Sequence, residues 1–412
     1  MKISDVFTPR TTTVNLKTYV PRSELELALS RSIQGSLHSV LFGESGNGKS
    51  WLYRKVFEGY GYHYKVANCA NACRAKSVAG EIYKALMPKG FVQKTGYNET
   101  KEATAKAVFL DGKISHQGQY KVDDVDQLYV ALSTFRKQIG LGDAVVVLEN
   151  LEAIVDDADL MDELANILLL LDDPIYGDFK IKFLLVGVPN GVLELFAKTK
   201  NVESVANRLH ELPKVGGLTL PMVETLVDKG FNDLLKYNLP SASKTEIAAH
   251  IHRVTLGVAQ RAQEYCEHLA YALEDARLIY SNERLKEADK AWLSGGLRQA
   301  YTAIESHLNS KQTTIARRNQ VIYCIGYMTS HQIDSISIAE KIKANFPSTA
   351  KENNMGIAGI LADLAASEMP LLRKNPKTKD FRVADPRYLM CIRVMLYINP
   401  VSRAVEKKAF KH

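Results

Sequence analysis

Apolar residues along the chain fall into two patterns, short runs that are apolar nearly throughout and longer stretches with apolar positions three and four apart. The runs at 39–42, 144–148 and 181–188 predict strands, and 62–68 predicts a further one. Strands without a polar face belong in a parallel sheet covered on both sides. Between them, 50–56, 76–87 and 160–171 predict helices, the second ended by Pro88 and Gly90. Val125, Leu128, Tyr129, Leu132, Phe135 and Ile139 mark one face of another helix. Upstream, 18–29 predicts an approach and a helix, with Ser23 as N-cap and Glu26 completing a capping box. Residues 91–122 have weak periodicity and many Lys, Gly and Gln, which predicts an insertion or a hairpin-bearing loop. Helices alternating with strands predict an α/β fold.

From residue 221 the pattern turns purely helical. Ala259, Ala262, Cys266, Leu269, Ala270 and Leu273 line one helix face, so 221–280 predicts a small helical lid. Residues 281–316 predict a connector of two helices bent at Gly295 and Gly296. The stretches 317–328, 336–345 and 355–367 predict three more helices, and 371–383 a hairpin with a basic, proline-containing centre. The expected division is an α/β domain at 1–220, the lid, the connector and a last domain at 317–412.

Composition narrows the class without revealing chemistry. The 412 residues are 46% hydrophobic and 24% charged, ordinary for a globular chain. The longest apolar run, 167–171, is far short of a membrane span. A first segment without an apolar core and five Cys without a pairing pattern suggest a cytoplasmic protein. Cys69 and Cys73 have no neighbouring His or second Cys pair, so a buried role fits them better than a metal site. Charge placement adds more than the net +7 does. Residues 317–412 carry 16 Lys and Arg against 8 Asp and Glu, an excess of 8, and the first 316 residues are close to neutral. The last segment is therefore the candidate for contact with a polyanion.

The candidate chemistry lies just after the first strand. Gly43, Glu44, Ser45, Gly46, Asn47, Gly48, Lys49 and Ser50 spell a P-loop, and Trp51 continues into the helix. The glycines leave room for backbone N–H groups to point inward at phosphate. Lys49 reaches the terminal phosphates of ATP, and the Ser50 hydroxyl ligates Mg²⁺. The apolar strand 145–148 ends in Glu149, a second Mg²⁺ candidate at the position where a Walker B motif has its acid. Asn150 follows, where a motor ATPase has the Glu that activates water. An amide cannot take a proton from water at neutral pH. Either Glu149 or Glu152 substitutes, or hydrolysis is slow and the protein is chiefly a nucleotide-dependent switch; slow hydrolysis is the favoured expectation.

With these motifs the chain resembles the AAA+ superfamily over roughly residues 7–270. Within it the nearest branch in pattern is that of replication initiators and origin-recognition ATPases, with their prokaryotic STAND-type signalling relatives. Tyr19-Val20-Pro21-Arg22 resembles the segment that closes over adenine, which implies a nucleotide contact at Val20. The strand ending Gly187-Val188-Pro189-Asn190 resembles sensor 1, which implies that Asn190 orients the attacking water. Asn207-Arg208 resembles an arginine-finger segment, which implies that Arg208 acts in a neighbouring subunit and that the protein is a homo-oligomer. Thr255-Leu256-Gly257-Val258-Ala259-Gln260-Arg261 resembles the sensor 2 motif, with Arg261 one position later than usual.

The last domain resembles a winged helix. Arg373, Lys374, Lys377 and Lys379 at the hairpin tip, with Arg382 beyond, suit phosphate contacts. The helix that would read bases is apolar and bears Asp363, which argues against sequence-specific reading. The segment 381–389 also resembles the end of this domain in STAND-like ATPases. The expected function is an ATP-dependent oligomeric switch that engages DNA and regulates a separate partner or effector, as in replication, transposition or antiviral defence. The alternative is a STAND-type regulator that senses a protein without DNA.

Overall fold

The computed structural model describes residues 1–88, 126–187, 195–197, 199, 201–309, 315–328, 332–350, 355–375, 378 and 380–408. The segment 91–122, Asn190, Lys377 and Lys379 lie outside the described residues. The chain divides into two compact units: Thr12–Val14 with Pro21–Gly216, and Met1–Thr11 with Asn15–Val20 and Gly217–His412.

The first unit is built on a parallel sheet. Its strands are β1 (His38–Leu41), β2 (His63–Asn68), β3 (Ala144–Glu149), β4 (Ile181–Val186) and β5 (Leu209–Glu211), in the order β2-β3-β4-β1-β5. Every pairing is parallel, with Val147 opposite Leu184 and Val40 opposite Leu185. Alternate side chains serve opposite faces. Val145, Val147, Leu184 and Val186 pack with Leu52, Tyr53, Val56 and Phe57 of helix Lys49–Tyr60. Val146, Leu148, Phe183 and Leu185 pack on the other side with helices Val78–Leu86, Gln127–Ile139 and Ala158–Leu170. The α/β expectation holds.

Local readings were shifted in places. Ser23 is the first residue of helix Ser23–Gln34 rather than its cap, and Arg22 takes the cap position. Half of the expected capping box persists, since Glu26 Oε1 accepts the Arg22 backbone N–H at 2.8 Å. A short helix, Cys69–Ala75, precedes Val78–Leu86 where one helix was expected, with Asn68 and Ser77 capping the two.

The second unit is helical with two small hairpins. Helices Leu220–Val227, Ser241–Thr255 and Ala259–Asp275 share one continuous core with Asn282–Ser294, Arg298–His307 and the C-terminal helices. The connector breaks between Ser294 and Arg298, where Gly295 and Gly296 stand. Helices Arg317–Gly326, Ser335–Asn345 and Ile357–Ala366 precede the hairpin β6 (Leu372–Lys374) and β7 (Phe381–Val383), and a bridge joins Ile333 to Phe381. Helix Pro386–Met395 and a second hairpin, β8 (Leu396–Ile398) with β9 (Val405–Lys407), complete the unit.

Candidate functional site

The P-loop joins β1 to helix Lys49–Tyr60 in the geometry its residues demand. Gly43, Gly46 and Gly48 have φ of +149°, +83° and +88°, which side-chain-bearing residues avoid. A Cβ at Gly43 would also fall 2.4 Å from the Val215 carbonyl oxygen. Buried Asn47 donates to that same carbonyl at 3.2 Å, which fixes the loop against the chain after β5. Arg22 likewise donates to the Gly216 carbonyl at 2.9 Å. The helix starts at Lys49 without a side-chain cap, so its first N–H groups face the loop.

Lys49 Nζ donates to the carbonyls of Gly43 at 2.7 Å and Glu44 at 3.1 Å. Burial lowers its pKa, partly offset by the charges of Glu152, Glu44 and Glu149 in that order. A half-buried ammonium held, among the described residues, by carbonyls at the start of a helix fits a phosphate chain. Lys214 stands 3.5 Å from Glu44 on the exposed rim.

The acid at the end of β3 is already engaged. Glu149 Oε1 accepts from the Tyr53 hydroxyl at 3.0 Å, and Oε2 lies 3.7 Å from Arg54. Arg54 Nε in turn donates to the Tyr53 hydroxyl oxygen at 3.1 Å. Burial, then the Glu149 charge, pushes the Tyr53 hydroxyl far above its ordinary pKa, so it stays a donor. Asn150 sits at φ +60°, and its amide donates to Asn68 Oδ1 at 3.0 Å. Tyr53 and Arg54 were not singled out in the sequence; their place, one helical turn past Lys49 on the face toward β3, is the signal that could have found them.

Arg208, just before the edge strand β5, pairs with exposed Asp172 at 2.7 Å. Ser50 and Trp51 are half-buried at the helix start. The remaining candidates belong to the second unit. Val20 is buried in its core, and Arg261, in the first turn of Ala259–Asp275, pairs with Glu264 at 2.6 Å. Glu264 also accepts from Trp292 at 3.1 Å. Positive φ at Leu256 and Gly257 turns the chain into that helix.

β1 itself carries a pH-sensitive group. His38 is buried, and its Nδ1 accepts the Phe183 N–H at 3.2 Å. Burial, helped by the Lys182 charge, lowers its pKa to about 4. Protons therefore bind the unfolded chain in preference, and stability present above pH 6.5 is lost as pH falls toward 4. The loss should approach about 3 kcal/mol. In His38→Asn, whose amide oxygen can keep the Phe183 bond, thermal melts should lose that pH dependence; an unchanged slope between pH 6.5 and 4 counts against the assignment.

Fold and loop together define an α/β P-loop domain. Residues 32–196 match the sequence profile described as the AAA domain. The Walker-type ATPase of Pyrococcus abyssi superposes with a TM-score of 0.53 at 14% identity, covering 94% of this chain and 99% of that one. The ORC2 protein of Aeropyrum pernix in its ADP form gives 0.49 at 14% identity, covering 95% of this chain and 96% of that one. No curated protein matches the sequence. Among the described residues no helix is long and apolar enough to cross a membrane.

Proposed function

We propose that the chain binds ATP at residues 43–51 and works as a slow ATPase, a nucleotide-dependent switch that assembles as a homo-oligomer, engages DNA and regulates a separate partner. The observation that carries the reading is the glycine cradle beneath Lys49, whose ammonium is held, among the described residues, by loop carbonyls. Ser50 and the acids following β3 would hold Mg²⁺, which supplies charge neutralisation at the phosphates when bound. Slow turnover follows from Asn150, which cannot act as a base, and from Glu149, which is shared with Tyr53 and Arg54.

Arg208 supports assembly. Its partner Asp172 is more than half exposed, and a surface pair of that kind is worth at most about 1 kcal/mol, so a neighbour's phosphate could replace it. The hairpin supports contact with a polyanion, in what we take to be a winged-helix domain. Arg373 and Arg382 are exposed and directly opposite across β6 and β7, a like-charge pair that a phosphate would relieve. The exposed face of Ile357–Ala366 offers Ala358, Ala362 and Asp363 and no base-reading side chain, which favours backbone contact over sequence reading. That same smooth face favours, as the second reading, docking of a protein partner in a STAND-type regulator.

Particle imaging with and without ATP and duplex DNA tests the proposal. ATP should raise the assembly state, and DNA retention should fall steeply between about 50 and 200 mM salt. Assembly without DNA binding at low salt would favour partner sensing; monomers in every condition would defeat the switch.

A further inference from the structure

We propose that Glu152, rather than Glu149, is the carboxylate that serves the phosphate end of the P-loop, while Glu149 is a structural partner of Tyr53 and Arg54. The inference rests on the nucleotide binding proposed above.

Topology separates the two sides of β3. In the order β2-β3-β4-β1, β2 lies on one side of β3, and β4 lies on the other, next to the strand that feeds the P-loop. Asn150 is tied to the far side through Asn68, at the end of β2. Its left-handed backbone turns the chain, and the short 3₁₀ segment Leu151–Ala153 follows. Glu152 on that segment leans to the near side. Its Oε2 lies over Gly187, directly after β4, so closely that a Cβ there would come within 2.3 Å of it. Gly187 at φ +124° is the residue that leaves this room.

The two carboxylates differ in what they have left to offer. Both oxygens of Glu149 face donors on helix Lys49–Tyr60, and its partner Arg54 offsets its charge. Freeing Glu149 would strand the hydroxyl of Tyr53, which is fully buried. Glu152 is solvent-exposed, and among the acids it acts most strongly on the Lys49 ammonium, ahead of Glu44 and Glu149. An exposed carboxylate beside the phosphate-binding lysine can accept a proton from water. In hydrolysis Glu152 takes the proton of the water whose oxygen bonds to the γ-phosphorus, as the bond from that phosphorus to ADP breaks.

The test compares Glu152→Gln with Glu149→Gln in the full chain, measuring ATP turnover and the affinity for a fluorescent ATP analogue with Mg²⁺ and with EDTA. Glu152→Gln should lower turnover by roughly 100-fold. It should also shrink the gain in affinity that Mg²⁺ brings while leaving affinity in EDTA unchanged. Glu149→Gln should lower turnover far less than Glu152→Gln does and should mainly lower the melting temperature, as should Tyr53→Phe. If turnover is too slow to follow, the Mg²⁺ dependence decides. Wild-type protein that binds ATP, with Glu152→Gln indistinguishable from it in both measurements, overturns this inference alone. The same holds if Glu149→Gln carries the losses. Wild-type protein that fails to bind ATP overturns this inference and the reading beneath it together.

Discussion

Lys49→Ala abolishes ATP binding and leaves the fold intact: calorimetric titration should show affinity weakened by at least about 100-fold, roughly 2.7 kcal/mol. The size follows from what Lys49 is in this loop. Its ammonium is bonded to the Gly43 and Glu44 carbonyls and feels the charges of Glu152, Glu44 and Glu149. Removing it deletes the cation at the first turn of the helix, among the charges of Glu152, Glu44 and Glu149, so the balance of charge at the loop turns against a polyanion. The inward N–H groups remain, so a residual affinity of the kind any helix N-terminus has for anions is expected. Stability should barely move, because Ala suits the first turn of helix Lys49–Tyr60 and burial of the ammonium was itself unfavourable. Undiminished affinity would overturn the nucleotide-binding reading. Loss of affinity together with a collapsed melting transition would show instead that Lys49 holds the loop together.

The parts of this fold legible in sequence are those whose information is local. A run such as Ala144–Glu149, buried through Leu148, announces an interior strand, and glycines where φ must be positive announce the loop. Strand β5 was not visible because it has three residues, two of them exposed, and carries no apolar run. Helix Pro386–Met395 and the hairpin after it went unread beside the stronger signal of the basic hairpin. At the site, the glycines of the loop could be named one by one, since each takes a backbone conformation that other residues avoid. What could not be read was the state of Glu149, because that depends on the rotational phase of a helix about 90 residues earlier and on which side of β3 its partners stand. Arg261 shows the same limit. Its pair with Glu264, three residues on, can be read along the helix, but the bond from buried Trp292 to the same carboxylate appears only in the folded second unit.

Long-range polar networks are the extreme of this, and the one around Asp289 should have the largest effect on stability. Asp289 is 1% exposed, yet Tyr265 donates to it at 2.7 Å, His250 at 2.8 Å and Lys408 at 3.1 Å. Burial alone would raise its pKa, but the hydrogen bond and charge of His250, with Lys408 and Tyr265, hold it below the ordinary carboxylate value. It is therefore ionised at neutral pH, the common partner of groups spread from residue 250 to residue 408. Asp289→Ala takes the acceptor from part-buried His250 and Lys408 and leaves buried Tyr265 the longer bond to the Leu285 carbonyl at 3.3 Å, and breaking a buried pair from one side costs about 3–5 kcal/mol. Asp289→Asn keeps an acceptor for Tyr265 but loses the charge, so its loss should be smaller. The chain's two tryptophans divide between the units, Trp292 being fully buried one helical turn from Asp289 and Trp51 standing at the P-loop helix. In a Trp51→Phe background, urea unfolding followed by Trp292 fluorescence reads the second unit by itself. The expected order of midpoints is wild type, then Asp289→Asn, then Asp289→Ala. Coincident midpoints would mean that the apolar core around Trp292 holds these helices together without the buried carboxylate.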